Sequence, residues 1–82
     1  MRRPYFSLTA NRRLTDLRPT DEEFKAIDLQ LAELARTPEL GFEFPFQDQP
    51  RKLFRFDVGR FGLIYTYDDD EINVVTISDD SR

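Results

Sequence analysis

The sequence predicts an α+β domain: a small antiparallel sheet packed against one long and one short helix. Three observations predict it. Residues 51–77 hold three runs rich in Phe, Tyr, Ile and Val, parted by two short turn signals. A capped amphipathic helix precedes them, over Asp21 to Arg36. A further strand-like run, PYFSLT, stands near the N-terminus. The chain has 82 residues, which is one domain spanning 1–82.

The first element is a strand over Pro4 to Thr9, whose opening proline suits a strand start or a sheet edge. NRRLTDL, Asn11 to Leu17, follows as a turn or two of helix capped by Asn11, with Leu14 and Leu17 as its apolar residues. Thr20 and Glu23 then form a T-x-x-E capping box, and Asp21, Glu22 and Glu23 complement the positive end of the helix dipole. Phe24, Ile27, Leu31 and Leu34 recur at helical spacing, with Leu29 off that stripe. Thr37-Pro38 ends the helix, because a residue before proline avoids α geometry.

FEFPFQDQ, Phe42 to Gln49, places Phe42, Phe44 and Phe46 at alternate positions around Pro45. Proline cannot donate in a ladder, so this is a short edge strand or an extended loop. Its phenylalanines either plug one end of the core or form an aromatic patch for a partner.

Three strands close the chain: Lys52 to Val58, Phe61 to Tyr67 and Ile72 to Ile77. Links as short as Gly59-Arg60 and Asp68-Asp69-Asp70-Glu71 make them an antiparallel meander. Alternation puts Phe54, Phe56 and Val58 on one face and Arg55 and Asp57 on the other. Phe61, Leu63, Tyr65 and Tyr67 likewise oppose Gly62, Ile64 and Thr66. In the third strand Ile72 and Val74 oppose Val75 and Ile77, as in a central strand covered on both sides.

Composition removes several chemistries. Without cysteine there is no disulfide framework or thiolate metal site, and without histidine no Ser-His-Asp triad or common zinc site. No metal or other cofactor is expected. No apolar run approaches the ~20 residues that span a bilayer, so the expectation is a soluble cytoplasmic protein with no membrane partner. The net charge of −4 argues mildly against generic nucleic-acid binding. Its distribution is uneven, with Arg51, Lys52, Arg55 and Arg60 close together and acid gathered at residues 68–71. The basic cluster reads either as a phosphate-binding patch or as the wet face of a sheet, with Arg55 paired to Asp57 or to acid on the neighbouring strand. The acidic run reads as a solvated hairpin tip, since it lacks the spaced ligands of a calcium loop.

The order of strand, short helix, long helix and meander resembles the RelE/ParE superfamily of small bacterial toxins. The residues that carry the likeness are ELARTPEL and KLFRFDVGRFGLIYTYDDDEINVVTIS. Members carry a YRLIY-like strand, an acidic turn and a VVVLxI-like strand there, and the likeness covers roughly residues 5–82. It implies the toxin component of a toxin–antitoxin module, with an antitoxin protein as partner. In the RelE branch it further implies a metal-independent endoribonuclease acting on messenger RNA at the ribosome. On that reading Arg55, Arg60 and Arg82 are the catalytic cations, Arg51, Lys52, Arg55 and Arg60 contact nucleic acid, and Phe42, Phe44 and Phe46 meet the partner. An arginine there would neutralise charge building on the scissile phosphate.

The chain departs from the family pattern at two places. Gly62 replaces the arginine that precedes the LIY run, and no counterpart of the family's C-terminal tyrosine follows the last strand. Both departures suit an alternative, a catalytically inactive relative serving as a binding or dimerisation module. A gyrase-inhibiting toxin of the ParE branch is a further alternative, for which the segment before Thr20 is short.

Overall fold

A computed structural model describes residues 2–44 and 52–79. Among them the order is β1 (Arg3–Phe6), α1 (Leu8–Leu17), α2 (Asp21–Arg36), a 3-10 turn (Pro38–Leu40), β2 (Phe42–Glu43), β3 (Phe54–Val58), β4 (Phe61–Tyr67) and β5 (Glu71–Asp79). The strands form one five-stranded sheet in the order β1-β5-β4-β3-β2. The α+β class expected from the sequence is what the chain adopts.

The sheet is mixed rather than antiparallel. β2 through β5 pair antiparallel, but β1 lies parallel to β5 at the edge, with Arg3 facing Glu71 and Phe6 facing Val74. A parallel pair needs a long connection, and everything between β1 and β5, both helices included, supplies it.

The two helices form at sites where the sequence satisfies their free ends. Thr20 Oγ1 accepts from the Glu23 amide at 3.1 Å, and Glu23 Oε1 accepts from the Thr20 amide at 2.8 Å, so the capping box is complete. α1 starts earlier than the NRRLTDL reading. Its cap is Ser7, not Asn11, with Ser7 Oγ accepting from the Ala10 amide at 3.0 Å. Ser7 to Thr9 therefore leave the strand assigned to them. α1 ends at Arg18, held at φ 49° in the left-handed region, where its amide donates to the Thr15 carbonyl.

The core lies between the helices and one face of the sheet. Ala10 from α1 and Ile27, Leu31, Leu34 and Ala35 from α2 meet Phe54, Val58, Phe61, Leu63, Tyr65, Ile72, Val74 and Ile77. Each large apolar side chain so buried stabilises the fold by roughly 1.5–3 kcal/mol. Phe24 and Leu29 stay out of this core, at 41% and 68% exposure.

The third meander strand departs from its expected alternation. Ile64 faces Thr76 while Tyr65 faces Val74, so Val75 is an inserted bulge residue. The bulge resets the two-residue period, and Ile77 joins Ile72 and Val74 on the core face instead of opposing them. Val75 is left 37% exposed. β5 is an internal strand, as expected, but it reaches that position without apolar cover on both faces.

Candidate functional site on the helix-free sheet face

With both helices on one side, no helix among the described residues lies on the other side of the sheet, although Thr66 is buried there. Register places Arg55, Ile64 and Thr76 in one row across it, and Asp57, Gly62 and Ser78 in the next. Asn73 faces Thr66 on one side and Tyr5 on the other. Phe42 on β2 faces Arg55 and is 79% exposed. The plugging role open to Phe42 is therefore corrected: it lies outside the core, because β2 is an edge strand of only two residues. Phe44 is partly buried and donates its amide to the Leu53 carbonyl at 3.0 Å. Phe46, Arg51 and Arg82 lie outside the described residues.

Arg55 is the cation at the centre of this face. Its Nε donates to Asp57 Oδ1 at 2.9 Å, which fixes the guanidinium plane. The side chain remains 32% exposed. It leans across β4 onto Gly62: a Cβ built there would stand 2.7 Å from Arg55 Nη2 and 2.9 Å from Arg55 Cζ. The same Cβ would stand 2.7 Å from Ser78 Oγ. That hydroxyl is buried, with no hydrogen-bond partner among the described residues. The bare Cα at 62 thus gives the guanidinium its place, and Ser78 Oγ borders the same spot from β5. Nothing in the local sequence announces this arrangement. The one clue is a glycine inside a strand, which marks a close approach as readily as a bulge.

Arg60 is placed elsewhere, on the helix side. Its Nε donates to Glu23 Oε2 at 2.6 Å, and its Nη2 reaches the Leu17 carbonyl at 3.1 Å and Glu23 Oε1 at 3.3 Å. Nη1 donates to Asp79 Oδ2. The guanidinium carbon also lies 4.3 Å from the Phe61 ring centroid. The structure therefore does not bring Arg55 and Arg60 into one cluster. The hydrogen bond from Arg60 holds the Glu23 carboxyl below its ordinary range, helped by the Thr20 amide. The Glu23 bond likewise raises the Arg60 guanidinium. Lys52 is exposed at the sheet edge and pairs with Glu43 at 3.7 Å.

Tyr65 and Asp68 have structural partners. Tyr65 is buried; its hydroxyl donates to the Pro38 carbonyl at 2.6 Å and accepts from the Gly41 amide at 3.1 Å. Burial pushes its pKa up to about 12. At the acidic turn, Asp68 Oδ1 accepts from the amides of Asp70 and Glu71 at 2.8 and 2.9 Å, as expected of a hairpin tip. Arg3, Tyr5, Asp69, Asp70 and Glu71 line an open polar recess of about 490 Å³ beside it. Among the described residues, no group of three or more His, Cys, Asp or Glu is placed to hold a metal ion. No helix among them is long and apolar enough to cross a membrane. No protein-family model matches the chain, and no curated protein matches it.

Proposed function

We propose that this chain is the toxin component of a cytoplasmic toxin–antitoxin module, acting on ribosome-bound messenger RNA through its helix-free sheet face. The observation that carries the reading is the position of Arg55, a half-buried guanidinium on the helix-free sheet face whose Nε donates to Asp57. Such a group can pair with a phosphate and stabilise charge developing there. The packing supports the reading too, since both helices lie on one side of the meander and no described helix covers the other. An antitoxin segment would cover Phe42 and the short β2 edge.

A second reading is a non-cleaving binding module of the same resemblance. Arg60 favours it, because a cation held by Glu23, Asp79 and the Leu17 carbonyl is not offered to a nucleic acid. In vitro translation followed by primer extension on the message separates the two. Cleavage predicts discrete cuts that disappear with Arg55→Ala and persist with Arg12→Ala on the outer surface of α1. Intact message at micromolar protein supports the binding module instead.

A further inference from the structure

We infer that two side chains of α1 guard an open half-edge of the sheet: Ser7 and Arg13 occupy backbone carbonyls of β5 that would otherwise pair with β5 of a second copy of this chain. The guard stands whether or not the chain cleaves message. β1 follows β5 only as far as Phe6 beside Val74, whereas β5 runs on to Asp79, which faces Phe61 of β4. Among the described residues, 75–79 therefore have a strand on one side and none on the other. Ser7 Oγ donates to the Val75 carbonyl at 2.6 Å, and Arg13 Nε donates to the Ile77 carbonyl at 3.2 Å. Ser7 caps α1 and Arg13 lies within it, so one element supplies both donors. Each stands where the amide of a further strand would stand.

The segment has need of such a guard. From Ile72 to Ser78 it reads INVVTIS, seven residues without charge or proline and rich in β-branched side chains. An uncharged strand of that kind with a bare edge is a template for pairing with another chain. The other two edges are blunted differently. β1 holds Pro4, which has no amide hydrogen, and β2 is two residues long with Glu43 paired to Lys52. Beyond Val74, β5 has neither device. Its half-edge is also self-complementary. Two copies related by a two-fold axis can lay 75–79 antiparallel, each supplying the other's donors and acceptors. Only Asp79 is charged there, and its carboxylate already accepts from Arg60.

The test uses the full chain with Arg13→Ala, Arg13→Lys, Arg12→Ala, Val75→Lys and the pair Arg13→Ala, Val75→Lys, in sedimentation velocity over a concentration series. Circular dichroism at each concentration restricts the comparison to folded protein. Arg12→Ala removes the same charge one position away and behaves as the unsubstituted chain. Arg13→Ala associates about tenfold more tightly, and its amides at Thr76 to Ser78 exchange more slowly as concentration rises. Arg13→Lys keeps a donor for the Ile77 carbonyl and stays with the unsubstituted chain. Val75 is 37% exposed at the bulge, so lysine there charges the bare edge and returns Arg13→Ala to weak association. A further readout needs no variant: in the unsubstituted chain the Arg13 Nε–Hε proton exchanges with solvent more slowly than that of Arg12. Equal exchange at the two arginines overturns the inference, as does equal association of Arg13→Ala and Arg12→Ala. So does an Arg13→Ala association that Val75→Lys leaves intact, or an unsubstituted chain that already associates and is dispersed by Val75→Lys alone.

Discussion

At the scale of single residues, the fold relies on side chains whose partners are distant in sequence. Tyr65 is one: alternation places it on the core face, and its hydroxyl then reaches the Pro38 carbonyl and the Gly41 amide beyond α2. Tyr65→Phe keeps the ring and strips both backbone groups of their partner, so it should cost about 1–3 kcal/mol in urea unfolding. The pH dependence has a definite sign. Burial raises the folded-state pKa from 10.0 to about 12, so the folded chain keeps a proton that the unfolded chain releases. The associated stability is intact below pH 10 and falls as pH rises toward 12. Denaturation midpoints across that range should decline more steeply in the unsubstituted chain than in Tyr65→Phe. The burial of Tyr65 was legible in the sequence from period-two alternation. Its two hydrogen bonds were not, since neither partner lies within twenty residues of it. The same holds for Arg60. A basic residue at a hairpin turn looks available, and only the folded chain brings Glu23, from 37 positions away, onto it.

At the scale of elements, legibility follows how local the determining signal is. α2 runs from Asp21 to Arg36, the span read from its capping box and Thr37-Pro38, because both signals lie within four residues of the ends they set. β4 likewise runs from Phe61 to Tyr67 as read, bounded by turn residues on both sides. The cap of α1 lies four residues ahead of Asn11, where the sequence does not advertise it: Ser7 has Ala10, not Glu or Gln, three positions on, so no reciprocal box marks the start. The β5 bulge leaves no mark at all, as Val74-Val75-Thr76-Ile77 reads as continuous strand. The parallel edge pairing of β1 is invisible for another reason: short strands do not encode which edge they join. Two element-level predictions follow from the caps. Thr20→Ala removes the acceptor for the Glu23 amide and should cost about 1 kcal/mol, a drop of several degrees in thermal midpoint. Arg18→Gly relieves a left-handed residue at the end of α1 and should gain about 0.5–1 kcal/mol, less whatever the unfolded chain gains in freedom. Circular dichroism melts of both variants check the signs.

At the scale of the whole molecule, the sheet's order sets a gradient of stability. β4 is central and flanked by β3 and β5, whereas β2 is a two-residue edge. Native-state hydrogen exchange should therefore be slowest at Leu63, Tyr65 and Val74, and near the unprotected limit at Phe42 and Glu43. The clasp around Arg60 works at the same scale. It joins the end of α1 through the Leu17 carbonyl, the start of α2 through Glu23, the β3–β4 turn and the end of β5 through Asp79. Gly59 shapes that turn at φ 57°, which brings Arg60 back toward the helices. Four elements thus share one cation, and acid attacks the arrangement at its carboxylates. The Arg60 bond depresses the folded-state pKa of Glu23 below its ordinary 4.5, so the unfolded chain takes up a proton that the folded chain refuses. The corresponding stability is fully present above 4.5 and is lost as pH falls through the depressed value. Arg60→Ala removes that dependence at neutral pH already, and also leaves Glu23 and Asp79 facing each other's charge. Its thermal midpoint should lie below that of the unsubstituted chain at about pH 6, and the gap should narrow as both are taken toward about pH 3. A gap that stays constant over that range would mean the clasp contributes through packing on Phe61 rather than through its charges.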